Sequence, residues 1–192
     1  GSVDNASPSQ AIVNAGKSRI WGVEVEASVR PFEGLKIDAG YAYLNTELLK
    51  YTPPALPIYY SALEAVAEVG GPLANSPKNR LTVTGSYTLP LDSSVGEISF
   101  GATYTHTDAA QVLPYHLSPF LYKNRAMDML NLNAEWASVL GSPVDASFFM
   151  TNATNQKRFV ASGGTFPTMG ADAGQLNMPR MYGFRLKYRF GN

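Results

Sequence analysis

Two stretches of this chain combine side chains that grip an anion with side chains that stack on a ring. Tyr115, His116, Phe120, Tyr122, Lys123 and Arg125 lie close together, and Lys157, Arg158, Phe159 and Phe166 form a second group. Guanidinium and ammonium groups offer charge-assisted hydrogen bonds to anionic oxygens, and aromatic faces accept cations or other rings. The chemistry this predicts is capture of an anionic, aromatic-bearing ligand. The ligand-binding set is Tyr115, His116, Tyr122, Lys123, Arg125, Lys157 and Arg158. The plainer reading of the same residues is packing between loops and at an interface.

Covalent chemistry finds less support. His106 and His116 are the only imidazoles; one falls in a strand pattern and the other in a loop pattern, which does not predict a shared metal. Glu24 and Glu26 share a strand face, and a solvated wall explains them better than paired acid and base work. Gly163-Gly164 does not lead from a strand into a helix, so it reads as loop and not as a phosphate cradle. The chain has no Cys, which excludes disulfides, thiolate nucleophiles and zinc-thiolate centres. The expectation is a binding protein, not an enzyme, with no cofactor.

These residues need a frame, and period two supplies it. Charge is balanced at 15 basic and 15 acidic residues, which gives no electrostatic reason to expect a nucleic-acid partner. Only 16% of residues are charged, below the roughly 25% of soluble domains. Apolar side chains alternate with Thr, Ser, Asn, Gly and scattered charges in seven segments: 20–30, 35–43, 81–89, 97–104, 130–136, 144–151 and 179–190. The last is the clearest. Tyr182, Phe184, Leu186, Tyr188 and Phe190 point one way, and Met181, Gly183, Arg185, Lys187 and Arg189 the other. Large aromatics (Trp21, Tyr43, Tyr104, Trp136, Tyr182, Phe190) sit at strand ends, where membrane interfaces would lie. Phe149 alone breaks the pattern. No run reaches ~18 apolar residues, so no transmembrane helix is expected.

The connections follow a rule. Pro31–Gly34, Pro90–Gly96 and Ser138–Pro143 are short and rich in turn residues. The segments from about Leu49 to Asn79, Ala109 to Asn124 and Ala153 to Met178 are long. This strict alternation predicts an antiparallel transmembrane β-barrel segment of about seven strands, with short periplasmic turns and long extracellular loops. It also places the end of the seventh strand at the periplasm. Tyr60–Val69 reads as a short helix within the first long loop, ended by Gly70-Gly71.

Several segments now resemble a known family, the C-terminal part of the barrel of TonB-dependent outer-membrane receptors. Asn14–Glu26 resembles its Gly-(hydrophobic)-Glu-(hydrophobic)-Glu strand with an Asn-Ala-Gly-Lys lead. Ser76-Pro-Lys-Asn-Arg80 is similar to its Pro-Lys/His approach to a Thr-rich strand. Phe149–Phe159 resembles its Asn-x-(Thr/Phe)-(Asn/Asp)-Lys-x-Tyr segment, with Phe159 in the Tyr place. The closing Pro179-Arg-x-Tyr-Gly-x-x-Leu-x-Tyr-x-Phe190 matches best. The motifs follow one another over nearly the whole chain.

The resemblance implies active import of a scarce nutrient of the iron-siderophore type across the Gram-negative outer membrane. It implies a barrel of about 22 strands with a plugged lumen, of which this chain supplies about the last seven. Contact with TonB would run through an N-terminal plug that lies outside this sequence. Residues 1–16 are then an extracellular lead-in, with Gly1-Ser2 resembling a tag remnant, and 17–190 form the barrel part. The strand carrying Tyr182, Phe184, Leu186, Tyr188 and Phe190 resembles the signal read by the barrel-assembly machinery, although Gly191-Asn192 follow the usual final aromatic. Asn5-Ala-Ser and Asn152-Ala-Thr match a glycosylation pattern by coincidence in a bacterial barrel. Seven strands leave two open edges, so the isolated chain is expected to self-associate or to require detergent and outer-membrane lipid. Two rivals remain at this point. One is a complete small barrel with a structural or adhesive role, in which residues 3–13 add an eighth strand. The other is a soluble lipocalin-like carrier with an apolar interior.

Overall fold

A computed structural model describes residues 16–52, 68–113 and 118–190. The strands are β1 (Gly16–Val29), β2 (Leu35–Tyr51), β3 (Asn79–Thr88), β4 (Glu97–Thr107), β5 (Ala110–Gln111), β6 (Lys123–Asn124), β7 (Met127–Ala137), β8 (Val144–Thr151), β9 (Phe159–Ser162), β10 (Gly174–Leu176) and β11 (Met181–Tyr188). A short α-helix, α1 (Phe166–Met169), lies between β9 and β10, and a 3₁₀ turn (Val139–Gly141) joins β7 to β8. The main sheet has the order β1-β2-β3-β4-β7-β8-β11, every neighbour antiparallel, with β1 and β11 at its two open edges. These are the seven strands that alternation predicts. β5 with β6 and β9 with β10 form two small sheets inside the second and third long loops. Residues 3–13 and 60–67 lie outside the described residues, and with them the eighth strand and nearly all of the loop helix.

Strand bounds differ from the sequence reading mainly on the long-loop side. β2 continues eight residues past Tyr43 to Tyr51, and β1 pairs with it up to Gly16↔Tyr51. Arg19 and Glu47 form an ion pair across that extension, beyond the Trp21–Tyr43 ring contact at 5.4 Å. The first loop then straps back on β2, with Leu48 donating to Gly71 O at 3.0 Å and Leu73 N–H to Thr46 Oγ1 at 3.0 Å.

No hydrophobic side chain is buried among the described residues. Phe184 is 81% exposed, Leu186 77% and Val25 55%, all on one face of the sheet. A soluble carrier hides its large apolar side chains, and an exposed apolar face of this extent needs another apolar phase. The lipocalin-like rival predicts an apolar interior, and this sheet has none. On the opposite face, Thr84 and Thr103 hydroxyls meet at 3.1 Å, and Arg189 pairs with Asp145 at 3.1 Å. That face is polar by hydrogen bonding as well as by composition.

Phe149 is explained by its cross-strand partner. It stands opposite Gly183, and a Cβ built there would come within 2.9 Å of the Phe149 ring. The ring therefore lies across the glycine on the polar face, and the missing side chain makes its room. Gly183→Val is expected to cost about 1–3 kcal/mol by overpacking, read as a lowered unfolding midpoint in detergent. Adding Phe149→Ala should recover most of the loss; a double variant no better than the single would refute the contact.

The short connections are closed by defined bonds. Asp92 Oδ1 accepts Ser94 N–H at 2.9 Å, and the Ser94 side chain and backbone hold the Asp92 carboxyl below the usual range. Trp136 Nε1–H reaches back to Val95 O at 2.8 Å, tying an interfacial indole to that turn.

Candidate functional site

Two loops converge where the sequence places its cations. β5 and β6 turn the second loop back on itself, which presents Lys123 and, just past β6, Arg125. In the third loop, β9 and β10 form a hairpin stem, with Lys157 and Arg158 immediately before it. All four basic side chains line one cavity of about 240 Å³, together with Phe120 and Phe159. Lys123, Arg125 and Lys157 are exposed and Arg158 is half-buried. Among the described residues, no carboxylate lies within ion-pair distance of any of the four. Asp128 acts on Arg158 through charge without forming an ion pair, so the four-cation cavity keeps a positive excess, which favours an anion.

Contacts between the two loops hold the cavity's shape. Phe120 meets Phe166 edge-on at 5.7 Å. The fully buried Ser118 hydroxyl donates to Asp172 Oδ2 at 2.6 Å, lies 3.1 Å from the Ser162 hydroxyl and accepts Leu121 N–H at 3.2 Å. Gly174 sits where a Cβ would approach Leu121 and Phe159 to 2.7 Å each, so its lack of a side chain lets both loops close over the hairpin. Gly174→Val is expected to separate them and raise hydrogen exchange about 10-fold at residues 118–123, a loss of roughly one hydrogen bond's worth of protection. Unchanged exchange there would dismiss the packing role.

Arg158 is oriented by its surroundings. Its Nε–H donates to Ala126 O at 3.2 Å and Nη1–H to Lys157 O at 2.9 Å. The remaining predicted site residues fall elsewhere. Tyr122 lines a neighbouring cavity of about 450 Å³ with Lys78, Asp108 and Lys123, and its carbonyl receives Val112 N–H at 2.8 Å. Tyr115 and His116 lie outside the described residues.

His106 has partners that spacing did not reveal. On the outward face at the long-loop end of β4, Nδ1 lies 2.7 Å from Asp128 Oδ1 and Nε2 3.1 Å from Asp108 Oδ1. Tyr104 O–H donates to the same Asp128 oxygen at 2.6 Å. Asn79 donates both its backbone and amide N–H groups to Asp108 Oδ2, and accepts from Tyr41 O–H at 2.6 Å. A continuous hydrogen-bonded belt thus crosses β2, β3, β4 and β7 on that face. Asp108 sits just past β4, and the Asn79 amide, with further help from His106, holds its carboxyl below the usual range. A lowered folded-state pKa contributes stability above the unfolded value that is lost as pH falls through the lowered one. The protection of the Asn79 amide, its exchange rate measured against the intrinsic rate at the same pH, should therefore fall on acidification below about pH 4, the ordinary aspartate range. In Asp108→Asn that protection should be lower at neutral pH and unchanged by acid; acid-sensitive protection that survives this change would assign the effect elsewhere.

A seven-stranded antiparallel sheet with an apolar outer face, short turns and long loops can be compared with known proteins. A family profile described as TonB dependent receptor-like, beta-barrel matches residues 1–178. The chain belongs to the TonB-dependent receptor β-barrel family.

Solved receptors of that kind share its fold. The siderophore receptor PiuA of Acinetobacter baumannii aligns with a TM-score of 0.65 at 17% identity, over 89% of this chain and 22% of that one. The ferric yersiniabactin uptake receptor FyuA of Yersinia pestis gives 0.69 at 15%, over 93% and 24%. BauA, the ferric preacinetobactin receptor of A. baumannii, gives 0.63 at 17%, over 92% and 23%. The chain therefore spans less than a quarter of these receptors. No curated protein matches it. Proteins of this family are outer-membrane transporters of Gram-negative bacteria and not enzymes. In TonB-dependent receptors the short turns face the periplasm and the long loops the exterior; in this chain the four-cation cavity lies among the long loops.

Proposed function

We propose that this chain is the C-terminal barrel segment of an outer-membrane receptor that captures an anionic ferric chelate at its extracellular loops. Residues 17–190 would form the last seven strands, with the preceding strands continuing from the β1 edge. The plug and the TonB contact that supplies the energy for import would lie in sequence before this segment. The observation that carries the reading is the cavity shared by Lys123, Arg125, Lys157 and Arg158, two loops meeting with four cations and no carboxylate in the cavity lining. Phe120 and Phe159 add ring faces beside those charges, which suits chelators that are both anionic and aromatic. The outward aromatic row Tyr182, Phe184, Leu186, Tyr188 and Phe190 would contact lipid and serve the barrel-assembly machinery as the closing strand. Isolated from its neighbours, the segment has two unpaired edges and would self-associate.

The test is capture of iron-loaded chelates by outer-membrane vesicles carrying the chain within its full reading frame. Ferric yersiniabactin, ferric preacinetobactin and ferric citrate form a suitable panel. At least one should bind, and its association rate should fall between low salt and about 0.15 M, where screening shortens the reach of the cations. Binding of none, or binding indifferent to salt, would refute an anion-capturing cavity.

A further inference from the structure

Asn152 is one of only three buried polar residues among those described, and it stands where β8 leaves the sheet, at φ 50°. Its amide nitrogen donates to Gln156 O at 2.9 Å and to Met178 O at 3.0 Å. The amide nitrogen of Asn177, from the returning arm of the same loop, donates to the same two carbonyls at 3.0 Å each. Two primary amides thus spend all four N–H bonds on one shared pair of acceptors.

Their oxygens are used as well. Asn152 Oδ1 accepts Gln156 N–H at 2.9 Å, and Asn177 Oδ1 accepts Arg158 N–H at 2.8 Å. Asn177 N–H donates in turn to Arg158 O at 2.9 Å. Below this clasp, Asn152 N–H is anchored to Asn131 Oδ1 of β7 at 2.9 Å, and Met181 pairs with Thr151. Above it begins the β9–β10 hairpin. The clasp is therefore the joint between barrel wall and extracellular hairpin, and Lys157-Arg158 sit within it.

We infer that Asn152 and Asn177 are positioning residues which set the direction in which Lys157 and Arg158 face Lys123 and Arg125. The inference rests on the ligand-capture reading for its functional half. An interlocked amide pair does what backbone pairing alone does not. Between β8 and β9 the chain turns through Asn152 and Asn155, both at positive φ, and no ladder runs across the gap. The side chains supply the missing bonds, so the arm is ordered before any ligand arrives. Preorganised cations bind without first paying the ordering entropy of the loop.

The isosteric changes Asn177→Asp and Asn152→Asp test this in vesicles carrying the full reading frame. Each removes two donors and turns carboxylate oxygens toward the carbonyls of Gln156 and Met178. Asn152→Gly keeps the positive φ accessible while deleting the amide. Trypsin reads the joint without any ligand, because it cuts after Lys157 and Arg158 only once the backbone there opens. Cleavage at these bonds should speed up about 10-fold or more in all three variants, while the barrel stays folded. With ferric yersiniabactin, ferric preacinetobactin or ferric citrate, whichever the wild type binds, dissociation should accelerate about 10-fold. In Asn152→Gly, which changes no charge, the salt dependence of association should stay as in wild type; the Asp variants add a carboxylate beside Lys157 and Arg158 and should flatten it. Lys157→Gln should show the reverse of Asn152→Gly, a flatter salt dependence with trypsin resistance at Arg158 intact.

Unchanged cleavage in the Asp variants would overturn the clasp. Faster cleavage with unchanged dissociation would overturn its positioning role and leave it a purely structural knot. If Lys157→Gln and Arg125→Gln bind every probe as wild type does, the ligand-capture reading fails instead. The clasp is then judged by the cleavage rates alone.

Discussion

Leu186→Arg is expected to be the most damaging single change to the barrel. Leu186 lies mid-strand in β11, opposite Ala146, with 77% of its surface exposed on the apolar face. An arginine on the lipid face near the bilayer midplane costs about 2–4 kcal/mol, a large share of the 5–15 kcal/mol that typically separates folded from unfolded states. Neighbouring side chains cannot shield it, since Phe148 and Phe184 stack at 5.1 Å on the same face and offer no acceptor. The expected result is a sharp drop in folded receptor in the outer membrane and a lower urea midpoint in lipid vesicles. Lys187→Gln, one residue on and facing the polar side, should shift that midpoint by no more than about 0.5 kcal/mol. The contrast between adjacent positions is the informative part. Equal effects at 186 and 187 would mean that the two faces had been assigned wrongly.

Charge reversal in the shared cavity should have the largest effect on binding. Arg125 and Lys157 come from different loops and line one cavity. A hydrogen bond to a charged group contributes about 1.5–3 kcal/mol, so losing one weakens capture roughly 10- to 100-fold. Arg125→Glu with Lys157→Glu removes two such bonds and adds repulsion toward an anionic chelate. Capture should fall by at least about 100-fold, with the salt dependence of association abolished or inverted. Neither side chain makes a hydrogen bond that supports the fold among the described residues, so folded receptor should reach the membrane in normal amount. Binding retained within a few-fold would remove these cations from the site.

The two predictions separate what alternation alone could reveal from what it could not. Period two identified all seven strands of the sheet and both of its faces, because side-chain direction in a strand is set by local geometry. The turn segments were legible for the same reason: Pro31–Gly34 and Pro90–Gly96 carry residues whose φ preferences break a strand. The continuation of β2 to Tyr51 was not. Leu48, Leu49, Lys50 and Tyr51 lose the alternation, and what keeps them extended is pairing with β1, a partner beyond the reach of a local pattern. Phe149 looked like an error in the pattern until Gly183 appeared opposite it. His106 looked isolated because Asp128 reaches it only through the β4–β7 register, and the same register completes the belt with Tyr104.

The candidate site divides along the same line. Residue types alone marked Lys123, Arg125, Lys157 and Arg158 as anion-gripping, since a guanidinium or ammonium group keeps its charge wherever the chain places it. That these four share a cavity depends on two loops more than thirty positions apart meeting in space, through Ser118 with Asp172, Phe120 with Phe166, and the slot at Gly174. Tyr122, equally promising by type, belongs to a different cavity. Asn177 drew no attention and Asn152 only a coincidental glycosylation pattern, because an asparagine declares nothing until its hydrogen-bond partners are known. By itself, the sequence determined a two-faced antiparallel sheet of seven strands, and with it the class of protein, because alternation and turn chemistry are local. Tertiary structure alone decided which cations meet and what holds them there. Convergence of loops is a property of long-range pairing, and no short window of residues contains it.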